Sequence, residues 1–136
     1  MLLALIQGFA SDAAVVKTAC SLSRQEKEKL ILLYVIEIDR NYPVDQEVET
    51  ETDRAEEALM DMENLSKKYK VKPVGQILQA RSKSGAVLSQ VDELKANCVI
   101  IGTQSDPRVE SMDFGKTARH ILNHSQCDLI VCKGSR

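Results

Sequence analysis

Short apolar runs rich in β-forming residues alternate along this chain with segments whose apolar residues recur at helical spacing, and few architectures satisfy that alternation. Leu2 to Ile6 is the first run, followed by turn and cap residues at Gln7-Gly8-Phe9-Ala10-Ser11. From Asp12, Val15, Val16, Ala19 and Leu22 form one helical stripe that ends among the charges of Arg24 to Lys29. Leu30 to Ile38 is nearly continuous in apolar residues, the pattern of a parallel strand covered on both faces. Asn41 to Thr52, with Pro43 and many acids, reads as an exposed loop leading to a helix with Ala55, Leu59, Met62 and Tyr69 on one face. Val71 to Ala80 is a weaker strand, demoted toward a sheet edge by Pro73 and Gly75. A helix carrying Val87, Leu88, Val91 and Leu94 follows, then a strand from Asn97 to Ile101 that stops at Gly102. A polar loop from Thr103 to about Asp113 precedes a helix from Gly115 to His124 expected to bury Ala118, Ile121 and Leu122, and Leu129 to Cys132 closes the order βαβαβαβαβ.

Strands alternating with helices require right-handed crossovers, so the expectation is an α/β fold: a doubly wound five-stranded parallel sheet with helices on both faces. With 136 residues and no linker or repeat, one domain over residues 1–136 is expected. The net charge of -2 offers no broad positive field for nucleic acid. The longest apolar run, Leu30 to Ile36, is too short to span a bilayer and the N-terminus lacks a leader pattern, so a cytoplasmic location is expected. Cys20, Cys98, Cys127 and Cys132 form no C-x-x-C pair and read as free thiols, although Cys98 and Cys132 fall on strands expected to be neighbours.

In an open parallel sheet, ligands bind beyond the carboxyl ends of the strands, where strand order reverses. The loops after strands one and four flank that crevice here. The first offers Gln7 and Gly8; the second offers Gly102, Ser105 and Gly115, the last opening a helix whose free N–H groups favour an anion. Gly102, two residues, Ser105, nine residues, Gly115, then Lys116-Thr117 resembles the G-x2-G-x9-G-[ST] loop of the universal stress protein family. The order of elements along the whole chain resembles that family too, including the Leu32-Leu33-Tyr34-Val35 strand and the Ala118 to Val131 close.

The resemblance implies a non-enzymatic stress-response or signalling protein, with ATP as the ligand. Phosphates would lie at Gly102, Ser105, Gly115, Lys116 and Thr117, and adenosine against Gln7 and the Val35 backbone. Three positions depart from the family pattern: Ser105 replaces a glycine, Lys116 replaces the hydroxyl residue, and Gln7 replaces an aspartate. Lys116, and Arg108 if its loop turns inward, bring positive charge in exchange. Two alternatives stay open, a protein-interaction module that has lost nucleotide and a slow ATP hydrolase. The resemblance also implies a homodimer formed through Leu129 to Cys132, an apolar strand that needs cover if it lies at an edge.

Other chemistry finds less support. Gly115-Lys116-Thr117 ends like a P-loop, but position 110, where the first glycine belongs, is Glu110. His120 and His124 share a helix face without a specified third metal ligand. There is no G-x-S-x-G elbow, no acidic cluster for a receiver domain at Gln7-Gly8-Phe9, and only a poor flavodoxin-type phosphate loop, so no catalytic residue is assigned.

Overall fold

The computed structural model describes residues 1–103 and 115–134. Along the chain run β1 (Leu2–Leu5), α1 (Asp12–Glu26), β2 (Leu30–Glu37), α2 (Glu49–Lys68), β3 (Val74–Ala80), α3 (Lys83–Leu94), β4 (Cys98–Thr103), α4 (Lys116–His124) and β5 (Asp128–Lys133). The strands form one all-parallel sheet in the order β3-β2-β1-β4-β5. This is the doubly wound architecture expected from the alternation, with the order reversing between β1 and β4.

The three central strands are apolar at nearly every position because both of their faces are covered. Successive side chains of a strand point to opposite faces. Leu2, Ala4, Leu30, Leu32, Cys98 and Ile100 therefore pack with Val15, Val16 and Leu59 of α1 and α2. Their neighbours Leu3, Leu5, Ile31, Leu33, Val99 and Ile101 pack with Val87, Val91, Ala118 and Ile121 of α3 and α4. Each such Leu, Ile or Val contributes about 1.5–3 kcal/mol of burial free energy. The edge strands β3 and β5 are only partly buried, in keeping with the interrupted sequence of the first.

Two details differ from the sequence expectation, and the cysteines follow it. Helix α2 begins at Glu49, inside the stretch expected to be loop, because Glu49 and Glu51 favour the positive end of the helix dipole and Thr52 N donates to Val48 O at 2.9 Å. Leu122, expected in the core, is 60% exposed, since Ala118 and Ile121 carry the buried stripe of α4 and the next residue is turned about 100° outward. Cys98 and Cys132 do lie on neighbouring strands, but Cys98 is opposite Asp128 and Cys132 opposite Gly102, so they are out of register for a disulfide. Burial, with the Asp128 carboxylate and the Cys127 thiol, pushes the Cys98 thiol up to about 11.

The helices return the chain to the amino end of the sheet through left-handed residues. Lys27 and Lys95 cap α1 and α3 at φ of 56° and 53°, and Lys70 follows α2 at 60°. Among the described residues, no helix is long and apolar enough to cross a membrane.

Candidate functional site

At the carboxyl end of β1, Ile6 N donates to Leu33 O at 2.8 Å, and the chain then leaves the sheet in a tight turn. Gly8 takes φ +77°, a conformation that a Cβ would strain. The turn is held from below by Asp12, the first residue of α1. Its Oδ1 accepts from Gln7 N at 3.0 Å and its Oδ2 from Gly8 N at 2.8 Å, while its own N–H donates to Phe9 O at 3.0 Å. Asp12 is 3% exposed. Burial raises its pKa above the ordinary 3.8, opposed by hydrogen bonds from the Gln7, Gly8 and Phe9 backbone and by the Lys83 ammonium.

The Gln7 side chain spans the point where strand order reverses. Its Nε2 donates to Gly102 O at the end of β4, at 3.1 Å, and its Oε1 accepts from Lys83 Nζ at 3.2 Å. Lys83 opens α3, whose start is fixed by Ser82 Oγ accepting from Gly85 N at 3.1 Å, and its ammonium also lies 5.9 Å from the centre of the Phe9 ring. One amide thus ties β1, β4 and α3 together at the switch point.

Gly102 has a packing reason to lack a side chain. A Cβ there would lie 2.6 Å from Ser11 Oγ, 2.7 Å from Ser11 Cβ and 3.0 Å from Val15 Cγ2, so glycine is what lets the start of α1 sit on β4. A Cβ at Gly134, whose N–H donates to Thr103 O, would also crowd Ser11, at 3.0 Å from its Cβ and 3.1 Å from its Cα. Ser11 is fully buried, and its Oγ has no hydrogen-bond partner among the described residues. Gly115 caps α4 with φ +122°, again a glycine conformation.

The expected site residues divide accordingly. Gln7 and Gly102 are joined directly. Val35 lies at the same end of the sheet, two residues past the last β1–β2 pair, and is buried on the face covered by α3 and α4. Gly115, Lys116 and Thr117 open α4 on that face, with Lys116 exposed and Thr117 half-buried. No hydrogen bond joins them to Gln7 or Gly102 among the described residues. Ser105 and Arg108 lie outside the described residues.

Beside the crevice, on the other face, a cavity of about 600 Å³ opens between the β1–α1 turn and α2, lined by Gln7, Gly8, Asp12, Tyr34, Arg54 and Asp61 among others. Burial, then the Glu51 and Asp12 carboxylates, push the Tyr34 hydroxyl up. His120 and His124 stack at 4.3 Å, and no third metal-ligating group stands with them among the described residues.

Asp12, Ser11 and Lys83 were not assigned to the site from sequence. Asp12 had a signal, an acid at a helix start just after a glycine turn. Lys83 had only the weak one of a cation in the first turn after strand three.

A model described as the universal stress protein family matches residues 2–133. No curated protein sequence matches the chain. Among solved structures, a universal stress protein from Archaeoglobus fulgidus in complex with dAMP is similar, with a TM-score of 0.78 at 14% identity over 97% of this chain and 96% of that one. So is the universal stress protein UspA of Lactobacillus plantarum, with a TM-score of 0.73 at 16% identity over 96% and 97% of the two chains. A universal stress protein family protein from Arabidopsis thaliana with AMP bound gives a TM-score of 0.63 at 11% identity over 99% and 93%. At these identities the likeness concerns the fold.

Proposed function

The chain belongs to the universal stress protein family, and from that premise we propose that it is a non-enzymatic cytoplasmic stress-response protein regulated by an adenine nucleotide held in the crevice between β1 and β4. The observation that supports this reading is the reversal of strand order between β1 and β4, where a doubly wound sheet takes its ligands, with the start of α4 on one side of it. Adenosine would rest against Gln7 and the Val35 backbone. The phosphates would run toward Gly102, Ser105, Gly115, Lys116 and Thr117, where the start of α4 and the Lys116 ammonium favour negative charge. Two relatives of the same fold, named above, hold dAMP and AMP.

A regulatory ligand fits better than a substrate. Among the described residues, Asp12 is the carboxylate bonded to the β1–α1 turn, and both its oxygens are committed to backbone N–H groups, so it is poorly placed to act as a base. Purified without added nucleotide and then denatured, the protein is expected to release adenine nucleotide, and calorimetry with ATP should show saturable heat without phosphate release. No released nucleotide together with no heat at millimolar ATP would sink the reading. That outcome would favour the second reading, an interaction module without nucleotide, which has one observation behind it: both ends of the Gln7 amide are already satisfied within the chain. Phosphate release would instead favour the slow hydrolase.

The proposal includes a homodimer through β5. This strand is an edge of the sheet, with Val131 37% exposed, and an apolar edge of this kind is stabilised by pairing. Sedimentation equilibrium should return the mass of two chains, and a single-chain mass would remove this part of the proposal.

A further inference from the structure

At the end of the sheet opposite the crevice, where helices finish and strands begin, a cleft of about 660 Å³ is ringed by Arg24, Lys27, Lys29, Lys70 and Lys72. These cations come from the last turn of α1 with its link to β2 and from the link between α2 and β3, so the fold brings together two separate chain stretches. The cleft's single acidic lining residue, Glu28, is already engaged by the Met1 ammonium and by Asn97 Nδ2. None of the five cations forms an ion pair among the described residues. Such convergence is not a general excess of charge, because the whole chain carries -2.

Two of the five stand where lysine is a poor conformational choice. Lys27 and Lys70 have φ of 56° and 60°, the left-handed region in which a helix end ordinarily uses glycine. Buried Leu30 and Ile31 and the exposed Val74 supply apolar surface to the same cleft, and its volume falls in the range of small-molecule sites.

We propose that this cleft binds a small polyanion with clustered phosphate groups. Four of the five cations are ammonium groups, point charges that bind phosphate oxygens from several directions, and Arg24 adds a planar fork that also pairs with phosphate. A single phosphate would engage only part of the ring; a linear triphosphate reaches more of it.

The test is calorimetric titration of the full chain with inorganic tripolyphosphate at low salt, using the wild type, the Lys27→Gly/Lys70→Gly double variant and Lys95→Gly. The wild type should bind one tripolyphosphate saturably, and the double variant about tenfold more weakly. Its melting temperature should stay level or rise, because glycine relieves the left-handed strain. Lys95→Gly, with the same cap geometry but outside the cleft, should bind like the wild type. Titration with ATP and AMP separates the sources. ATP weakened in parallel by the double variant assigns the cleft to the triphosphate tail of a nucleotide, and loss confined to tripolyphosphate assigns it to the free inorganic anion. AMP bound at the crevice should be indifferent to the double variant. Undiminished tripolyphosphate affinity in the double variant, or no saturable binding by the wild type, overturns the proposal.

Discussion

Gly102→Ala is expected to destabilise the protein by about 3 kcal/mol, the upper end of the range for overpacking. The new Cβ would meet Ser11 Oγ and Cβ at 2.6 and 2.7 Å, and because Cβ is fixed to the backbone no rotamer of the alanine avoids them. Either β4 or the start of α1 has to move, and Gln7 Nε2 is bonded to the carbonyl of the same residue. Denaturant unfolding would measure the loss. Ser11→Gly should restore most of it, since it removes both opposing atoms and deletes a hydroxyl that has no partner among the described residues; glycine is also tolerated at a helix start. Full stability in Gly102→Ala, or no coupling between the two substitutions, would contradict the packing role given to this glycine.

Asp12→Ala should remove about 2–4 kcal/mol, because two backbone N–H groups at Gln7 and Gly8 lose charged acceptors in a partly buried turn. A pH dependence accompanies it. Burial holds the folded pKa of Asp12 above the ordinary 3.8, so the folded state binds this proton more tightly than the unfolded one does. Its contribution is therefore fully present below about pH 3.8 and is lost as pH rises through the elevated folded value. Relative to an Asp12→Asn variant, which does not titrate there, the wild type should lose stability across that window. A relative gain with rising pH would show that the hydrogen bonds outweigh burial at this carboxylate.

The parts of this molecule that can be read from its sequence are those set by local chemistry. Leu2 to Leu5 and Leu30 to Leu33 announce strands covered on both faces because apolar residues occupy both alternating sets, and Pro73 and Gly75 mark β3 as an edge. Gly102 and Gly115 stand out by spacing, and Gln7 by its place after β1. The contacts that give these residues their meaning are set by the fold. Gln7 and Lys83 are separated by 76 positions and meet only because α3 starts beside the switch point. Gly102 looks like a ligand glycine in sequence, yet its missing side chain makes room for Ser11, a demand visible only once α1 is laid on β4. Leu122 shows the limit of periodicity: on a nine-residue helix over an edge of the sheet, one apolar position falls outside the buried stripe.

The most direct test of the central claim is to follow the backbone amides of the labelled protein by NMR while adding AMP and then ATP. The crevice reading predicts saturable shifts at Gln7, Gly102 and Thr103, with ATP extending them to Gly115 and Lys116. Shifts absent from Gln7 and Gly102 at saturating nucleotide, or no shifts at all at millimolar concentration, would contradict it.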